Sequence, residues 1–182
     1  PFVATVDAPV VTGFSGLPLT WSYPHYCGPS AEETTRAVAL FQERYARAGK
    51  FENSVYAGIP ETLAALRGRG YVLGVATSKP EVFAKEIVAH FALDGYFDVV
   101  AGAELSEGGT KADVIRAALA ALGAEPEETA MVGDRRHDMI GAREVGAIGV
   151  GALWGFGDEG ELTKSGAAAL AATPADLLRI FA

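Results

Sequence analysis

The chain has 182 residues, 49% of them hydrophobic and 21% charged, which is typical of one globular domain with room for a small appendage. Its 15 basic and 23 acidic residues give a formal net charge of −8. No cluster of Lys and Arg provides the basic face that nucleic-acid binding requires, so we predict no nucleic-acid partner. The single cysteine, Cys27, excludes an internal disulfide and a cysteine-based zinc site, and it fits a reducing, cytoplasmic location.

The sequence predicts no membrane segment. The longest candidate run, from Val145 to Gly157, is shorter than a bilayer span and rich in glycine. No basic start precedes an apolar stretch, so we expect no signal peptide. The first residue is Pro1 rather than Met, and we expect a processed, trimmed or partial chain. The sequence does not specify an oligomeric state.

Apolar strands and amphipathic helices alternate along the chain. Phe2–Val6 predicts a first buried strand, and Ser30 with Glu33 forms the S-x-x-E capping box of a helix that ends near Gly49. The later strands are predicted at Tyr71–Ala76, Phe97–Ala101, Thr129–Val132 and Ile148–Leu153. The later helices are predicted from Pro60 through Leu66, from Pro80 to Phe91, from Lys111 to Leu122, through Ala142 up to Gly146, and onward from Thr173. This alternation predicts an α/β fold with a doubly wound, parallel, five-stranded Rossmann-like sheet, in which Phe2–Val6 is the middle strand.

Polar residues follow the predicted strands at the points where those strands end. They are Asp7, the triplet Thr77-Ser78-Lys79, Glu104 with Lys111 further on, and Asp134 with Asp138. Ligands of parallel α/β sheets bind beyond the carboxyl ends of the strands. We therefore expect Asp7, Thr77, Lys111, Asp134 and Asp138 to converge at one edge of the sheet.

Asp134 and Asp138 lie four residues apart after a buried strand, and Gly133 permits a sharp turn before them. Two carboxylates that face one point repel each other unless a cation lies between them, and oxygen ligands beside a phosphate favour Mg²⁺. The alternative is a helix N-terminus that carries Asp because the helix dipole favours negative charge there. The G-D-x-x-x-D spacing alone does not decide between the two.

Thr77, Ser78 and Lys111 also have two interpretations each. Thr77 and Ser78 lie between a strand and a helix N-terminus, which is either a phosphate-binding arrangement or an ordinary N-cap. Lys111 begins a helix, where the dipole disfavours a cation. It therefore either neutralises a phosphoryl group or is a solvated surface lysine.

Taken together, five segments resemble the haloacid dehalogenase (HAD) superfamily, in its phosphoglycolate-phosphatase-like and nucleotidase-like branch. The segments are VYAGIPETLAALRGRGY, GVATSKPEVFAKEIVAHFALDGYFDVVAGAEL, TKADVI, AMVGDRRHDMIGAREVG and LWGFGDEGEL, which run from about Phe51 to the C-terminus. The resemblance implies a first core strand in residues 1–12, a reduced helical cap in 13–55 and an α/β core in 56–182. No G-x-G-x-x-G follows a predicted strand, which argues against a dinucleotide-binding domain.

The resemblance also implies roles for individual residues. Thr77 would hold the phosphoryl group and Ser78 would contact the substrate, while Lys111 would stabilise both the nucleophile and the transferring phosphoryl group. Asp134 and Asp138 would bind Mg²⁺. The implied function is Mg²⁺-dependent hydrolysis of a small phosphorylated metabolite, a phosphomonoester of the phosphoglycolate or nucleoside monophosphate class, through an aspartyl-phosphate.

The sequence departs from the family at the nucleophile. The family pattern after the first strand is D-x-D-G-T, where the first Asp attacks phosphorus and the second acts as acid and base. If Asp7 takes the second position, Thr5 occupies the first; if Asp7 takes the first position, Pro9 occupies the second. Asp7 is therefore the candidate for the catalytic carboxylate and a third metal ligand. The alternative is an impaired or truncated HAD-like protein that binds phosphate and metal without efficient turnover.

Four further residues near these motifs have structural interpretations. His137, between the two aspartates, is expected to be solvated, and Trp154 is expected to pack in the protein interior. Gly155 and Gly157 are expected to serve a loop turn.

Overall fold

The computed structural model describes residues 24–25, 28, 30–103 and 109–182. The chain divides into two compact units, Pro1–Glu52 and Asn53–Ala182. The predicted strand Phe2–Val6, the candidate nucleophile Asp7 and Glu104 lie outside the described residues. The assignment of 1–12 to the core, 13–55 to a cap and 56–182 to the α/β core stays a prediction.

Helix α1, Ala31–Arg47, belongs to the first unit. The predicted capping box is confirmed, because Ser30 Oγ accepts a hydrogen bond from Glu33 N–H and the Glu33 carboxylate accepts one from Ser30 N–H. Along this helix Val38 is buried and Phe41 is 42% exposed, and the Phe41 ring stacks on Tyr45 at 5.7 Å between centroids.

The second unit alternates strands and helices as predicted for an α/β fold. Its helices are α2 (Ile59–Gly68), α3 (Glu81–His90), α4 (Lys111–Leu122), α5 (Arg136–Val145), α6 (Glu159–Lys164) and α7 (Leu177–Ile180), and its strands are β1 (Gly74–Pro80), β2 (Val99–Ala103), β3 (Ala130–Gly133), β4 (Ile148–Ala152) and β5 (Ala169–Ala171). None of the helices in the described part of the chain has both the length and the apolar character needed to cross a bilayer.

All described strand pairs are parallel. Strand β1 pairs with β2, and β3, β4 and β5 pair in that order. The carboxyl ends of paired strands therefore lie at the same edge of each sheet. The placement of Phe2–Val6 in the middle of a single five-stranded sheet stays a prediction.

The start of one strand differs from the prediction, and two elements were not predicted. Strand β1 was expected at Tyr71–Ala76, but pairing with β2 begins at Gly74, and Tyr71 is 40% exposed. The prediction also missed β5, a three-residue strand of Ala and Leu whose pairing with β4 overrides its weak strand propensity. Helix α6 was missed as well.

Helices pack on these strands through small buried clusters. In one cluster, Val114 and Ala118 of α4 pack on Ala101 of β2. In another, Val150 of β4 packs with residues of β5 and α7, and Trp154 lies against it, which confirms its predicted packing role. Both clusters support the strands whose carboxyl ends carry the candidate site.

Candidate active site

Lys111 is fixed at the start of α4 by a capping box. Thr110 Oγ1 accepts a hydrogen bond from Asp113 N–H at 3.2 Å, and Asp113 Oδ2 accepts one from Thr110 N–H at 2.9 Å. Lys111 Nζ donates a hydrogen bond to Ala76 O of β1 at 2.9 Å and lies 2.8 Å from Asp138 Oδ1. The lysine therefore ties Ala76 of β1 to the first turn of α5, and the solvated alternative is wrong.

Both carboxylate oxygens of Asp138 have partners. Oδ1 pairs with Lys111, and Oδ2 accepts a hydrogen bond from Arg135 N–H at 3.0 Å. The residue is buried, with 7% of its surface exposed. A Cβ atom at Gly133 would overlap the Asp138 side chain, so the glycine is required by close approach as well as by the turn.

Asp134 has different surroundings. Its Oδ2 accepts a hydrogen bond from Phe156 N–H at 2.9 Å, and its carbonyl oxygen accepts one from Gly157 N–H at 2.9 Å. Its Oδ1 accepts no hydrogen bond from the residues that the structure describes. Asp134 directly follows β3, so the acidic pair joins the same strand-end region that holds Lys111.

Thr77 and Ser78 follow Ala76, the residue whose carbonyl binds Lys111. The β1–β2 register shifts between Thr77 and Pro80, and Ser78 and Lys79 are exposed there. Thr77 Oγ1 accepts a hydrogen bond from Lys79 N–H at 3.2 Å. The strand end thus presents a hydroxyl-bearing turn next to the Lys111 contact, a geometry suited to an anionic oxygen.

Of the two aspartates, Asp134 is better placed than Asp138 to bind a Mg²⁺ ion directly. Mg²⁺ commonly takes one or two carboxylates and keeps several waters. Asp134 Oδ1 is an available ligand atom, whereas Lys111 and Arg135 N–H already engage both oxygens of Asp138. No cluster of three or more metal-ligating side chains occurs within residues 24–25, 28, 30–103 and 109–182, and Asp7 lies outside those ranges.

Glu161, which was not among the residues predicted for the site, braces the turn that carries Asp134 and Asp138. Its Oε1 accepts hydrogen bonds from Arg136 N–H at 2.8 Å and Arg135 Nε at 3.0 Å, while Asp158 caps its helix. Burial acts to raise the pKa of Glu161, but these two donors outweigh burial and the pKa is lowered. The D-x-x-E spacing of Asp158 and Glu161 was the available signal, because it is typical of a helix start.

His137 is half-buried rather than solvated, which corrects the expectation for it. Burial lowers its pKa, and the neighbouring Arg136 and Arg135 cations lower it further. The neutral ring is therefore favoured.

Comparisons with known proteins show which family the chain resembles. The sequence profile of the haloacid dehalogenase-like hydrolases matches residues 7–152. The 5'-nucleotidase of Pseudomonas aeruginosa is 44% identical over 150 residues, which cover 82% of this chain and 68% of the nucleotidase. Tyrosine-protein kinase PtkA of Mycobacterium tuberculosis is 41% identical over 144 residues, which cover 73% of this chain and 50% of the kinase. The structure of a haloacid dehalogenase-like family hydrolase from Streptococcus pneumoniae has a TM-score of 0.91 at 30% identity and covers 99% of this chain and 84% of that one.

The parallel strands and their covering helices form an α/β core like that of the Rossmann-like HAD phosphatase structures. Because the family profile spans most of the sequence, the chain belongs to the haloacid dehalogenase-like hydrolase family. The phosphatase and nucleotidase branch suggested by the sequence motifs agrees with the 5'-nucleotidase relative.

Proposed function

We propose that this chain is a phosphatase-type HAD protein whose site acts on a small phosphomonoester with Mg²⁺. The observation that carries the proposal is the contact of Lys111 Nζ with both Ala76 O and Asp138 Oδ1. This contact joins the hydroxyl-bearing end of β1 to the acidic turn after β3. A cation, hydroxyls and a metal-ligating carboxylate in one place are the components that phosphoryl transfer needs.

Each described residue has a distinct role in the proposal. The Lys111 ammonium offsets negative charge on the phosphoryl oxygens, and Asp138 orients that ammonium as a positioning residue. Thr77 and Ser78 donate hydrogen bonds to the phosphoryl group. Asp134 would hold Mg²⁺ through Oδ1, and the ion would supply further positive charge at the transferring group.

Asp7 is the proposed carboxylate at the reacting centre. As nucleophile, it forms a new O–P bond while the bond from phosphorus to the leaving oxygen breaks and that oxygen takes a proton. Water then cleaves the aspartyl-phosphate to release phosphate and regenerate the carboxylate. With Pro9 at the second position, no side chain there supplies the leaving group's proton, so it comes from solvent and turnover is slow.

A second candidate function rests on the same sequence departure. In either alignment of Asp7, one of the two carboxylate positions of the family pattern is occupied by Thr5 or by Pro9. The chain would then bind phosphate and Mg²⁺ without efficient turnover.

The 5'-nucleotidase relative favours nucleoside monophosphates as the first substrates to test, with phosphoglycolate as the second class.

A release assay and a phosphate titration together separate these candidates. Phosphate release is measured from p-nitrophenyl phosphate, nucleoside monophosphates and phosphoglycolate, each with Mg²⁺ and with chelator, and binding of inorganic phosphate is measured by calorimetry with Mg²⁺. Slow Mg²⁺-dependent release that Lys111→Met abolishes supports the phosphatase, and phosphate binding without release supports the second candidate. Neither binding nor release would contradict both. Lys85→Met is the matched control, because Lys85 pairs with Glu81 on the surface of α3.

A further inference from the structure

The segment Gly155–Gly157, here called the 155–157 loop, encloses Asp134. Two backbone amides of the loop bind that one residue: Phe156 N–H donates to Asp134 Oδ2 and Gly157 N–H donates to its carbonyl oxygen, each at 2.9 Å. One bond fixes the carboxylate and the other fixes the backbone to which it is attached. Such a pair restricts both the position and the rotation of the side chain.

The two glycines of the loop leave room for Asp134. A Cβ atom at Gly155 would overlap the Cβ and Oδ2 atoms of Asp134 and would lie 2.6 Å from its Cγ. A Cβ atom at Gly157 would overlap the carbonyl oxygen of the same residue. Neither glycine has a positive φ, so the requirement is space rather than backbone conformation. This differs from the simple turn role that the sequence suggested.

The loop is anchored on both sides by the core. Trp154, before it, packs against the Val150, Ala171 and Leu177 cluster. Leu162, after it, is fully buried and lies 3.6 Å from the position of a Gly157 Cβ. The atoms that bind Asp134 therefore belong to a segment held by packing, as a positioning element requires.

We propose that the 155–157 loop is the positioning element of the Asp134 carboxylate. By engaging Oδ2 and filling the space beside it, the loop leaves Oδ1 as the oxygen that receives a cation. The inference rests on the proposed function for the identity of that cation. Its structural part, the steric coupling of Gly155 to Asp134, does not depend on it.

The first test measures Mg²⁺ binding by calorimetry, without substrate. Gly155→Ala is expected to weaken Mg²⁺ binding by about tenfold or more, the usual size of effect when a supporting contact of a metal ligand is lost. Gly74→Ala is the matched control, because its Cβ would press on Leu122 rather than on Asp134 or on Leu162 beside the loop. It should lower the melting temperature while leaving Mg²⁺ affinity unchanged. Wild-type affinity in folded Gly155→Ala would overturn the proposal.

A second test covers the case in which Gly155→Ala does not fold. Asp134→Gly removes the three atoms nearest to the new methyl group, all of which belong to the Asp134 side chain. Gly155→Ala should therefore lower the melting temperature of the metal-free chain much less in the Asp134→Gly background than in the wild type. An equal shift in both backgrounds would overturn the proposal. A wild-type chain that binds no Mg²⁺ would instead contradict the metal role in the proposed function, while this steric test still decides the positioning.

Discussion

Lys111 Nζ lies 2.8 Å from Asp138 Oδ1, and the two side chains keep only 13% and 9% of their solvent exposure. The Lys111 ammonium also donates a hydrogen bond to the carbonyl oxygen of Ala76 in β1. It therefore connects this strand to the first turn of α5. A charge withdrawn from water is costly unless it is paired. The pair is therefore expected to contribute to stability as well as to chemistry.

Lys111→Met should destabilise the fold by about 3 kcal/mol, because it leaves a buried carboxylate without its cation. The control Lys85→Met removes an exposed pair of α3 and should cost no more than about 0.5 kcal/mol. Urea denaturation measures both. Equal free energies of unfolding for the two variants would show that the Lys111–Asp138 pair is no more important to stability than an exposed surface pair.

Asp134 and Asp138 should respond differently to replacement by Asn. Both changes weaken Mg²⁺ binding by removing negative charge, but Asp134→Asn should weaken it more, since Oδ1 of Asp134 is the available ligand atom. Asp138→Asn should cost more stability, because it leaves Lys111 unpaired. Calorimetric titration and urea denaturation give the two readouts. Unchanged Mg²⁺ titrations in both variants would exclude the acidic pair as the metal site.

Glu161 should make the fold sensitive to acid. Its pKa is lowered in the folded chain, so its contribution to stability is complete above the unfolded-state pKa and is lost as the pH falls through the folded one. Below the ordinary glutamate pKa of about 4.3, the unfolding free energy of the wild type should fall more steeply than that of Glu161→Gln. Glu159→Gln, on the same helix, should keep the wild-type slope, and denaturation at several pH values checks this. Identical slopes in all three proteins would refute the role of Glu161.

Local signals predicted much of the second unit. Helix α4 begins and ends at the expected residues, because Thr110 caps it and Gly123 ends it in the left-handed conformation. Strand β5 could not be predicted, since three residues of Ala and Leu gain strand structure only from pairing with β4. The extension of β1 to Pro80 likewise comes from its partner strand.

The site was predictable as a set of residues but not as a set of contacts. Strand order and the G-D-x-x-x-D spacing brought Lys111 and Asp138 to the same edge, yet no sequence rule assigns the lysine to one aspartate of the pair. The close approach of Gly155 and Gly157 to Asp134 depends on how the loop packs. In the sequence, only the presence of the two glycines indicates it.

The chain as it stands should be a slow phosphatase. Asp7 alone cannot fill both carboxylate positions of the family pattern, and general acid–base help is worth about 10²–10⁴-fold. Thr5 is a weak nucleophile without an adjacent base. In the alignment that gives Asp7 the second position, Thr5→Asp, Ala8→Gly and Pro9→Thr restore the pattern and should raise Mg²⁺-dependent phosphate release. Rapid turnover by the unmodified chain that survives Asp7→Asn would mean that the nucleophile lies elsewhere.

The central claim is that the strand ends around Lys111 form a phosphoryl site, and binding of inorganic phosphate tests it without requiring turnover. Phosphate is titrated by calorimetry in the presence of Mg²⁺ into the wild type, Lys111→Met and the surface control Lys85→Met. We expect binding to the wild type and to the control, with at least about tenfold weaker binding to Lys111→Met, since a charge-assisted contact to an anion is worth about 1.5–3 kcal/mol. Equal binding by all three proteins, or no binding by the wild type, would contradict a phosphoryl site at Lys111.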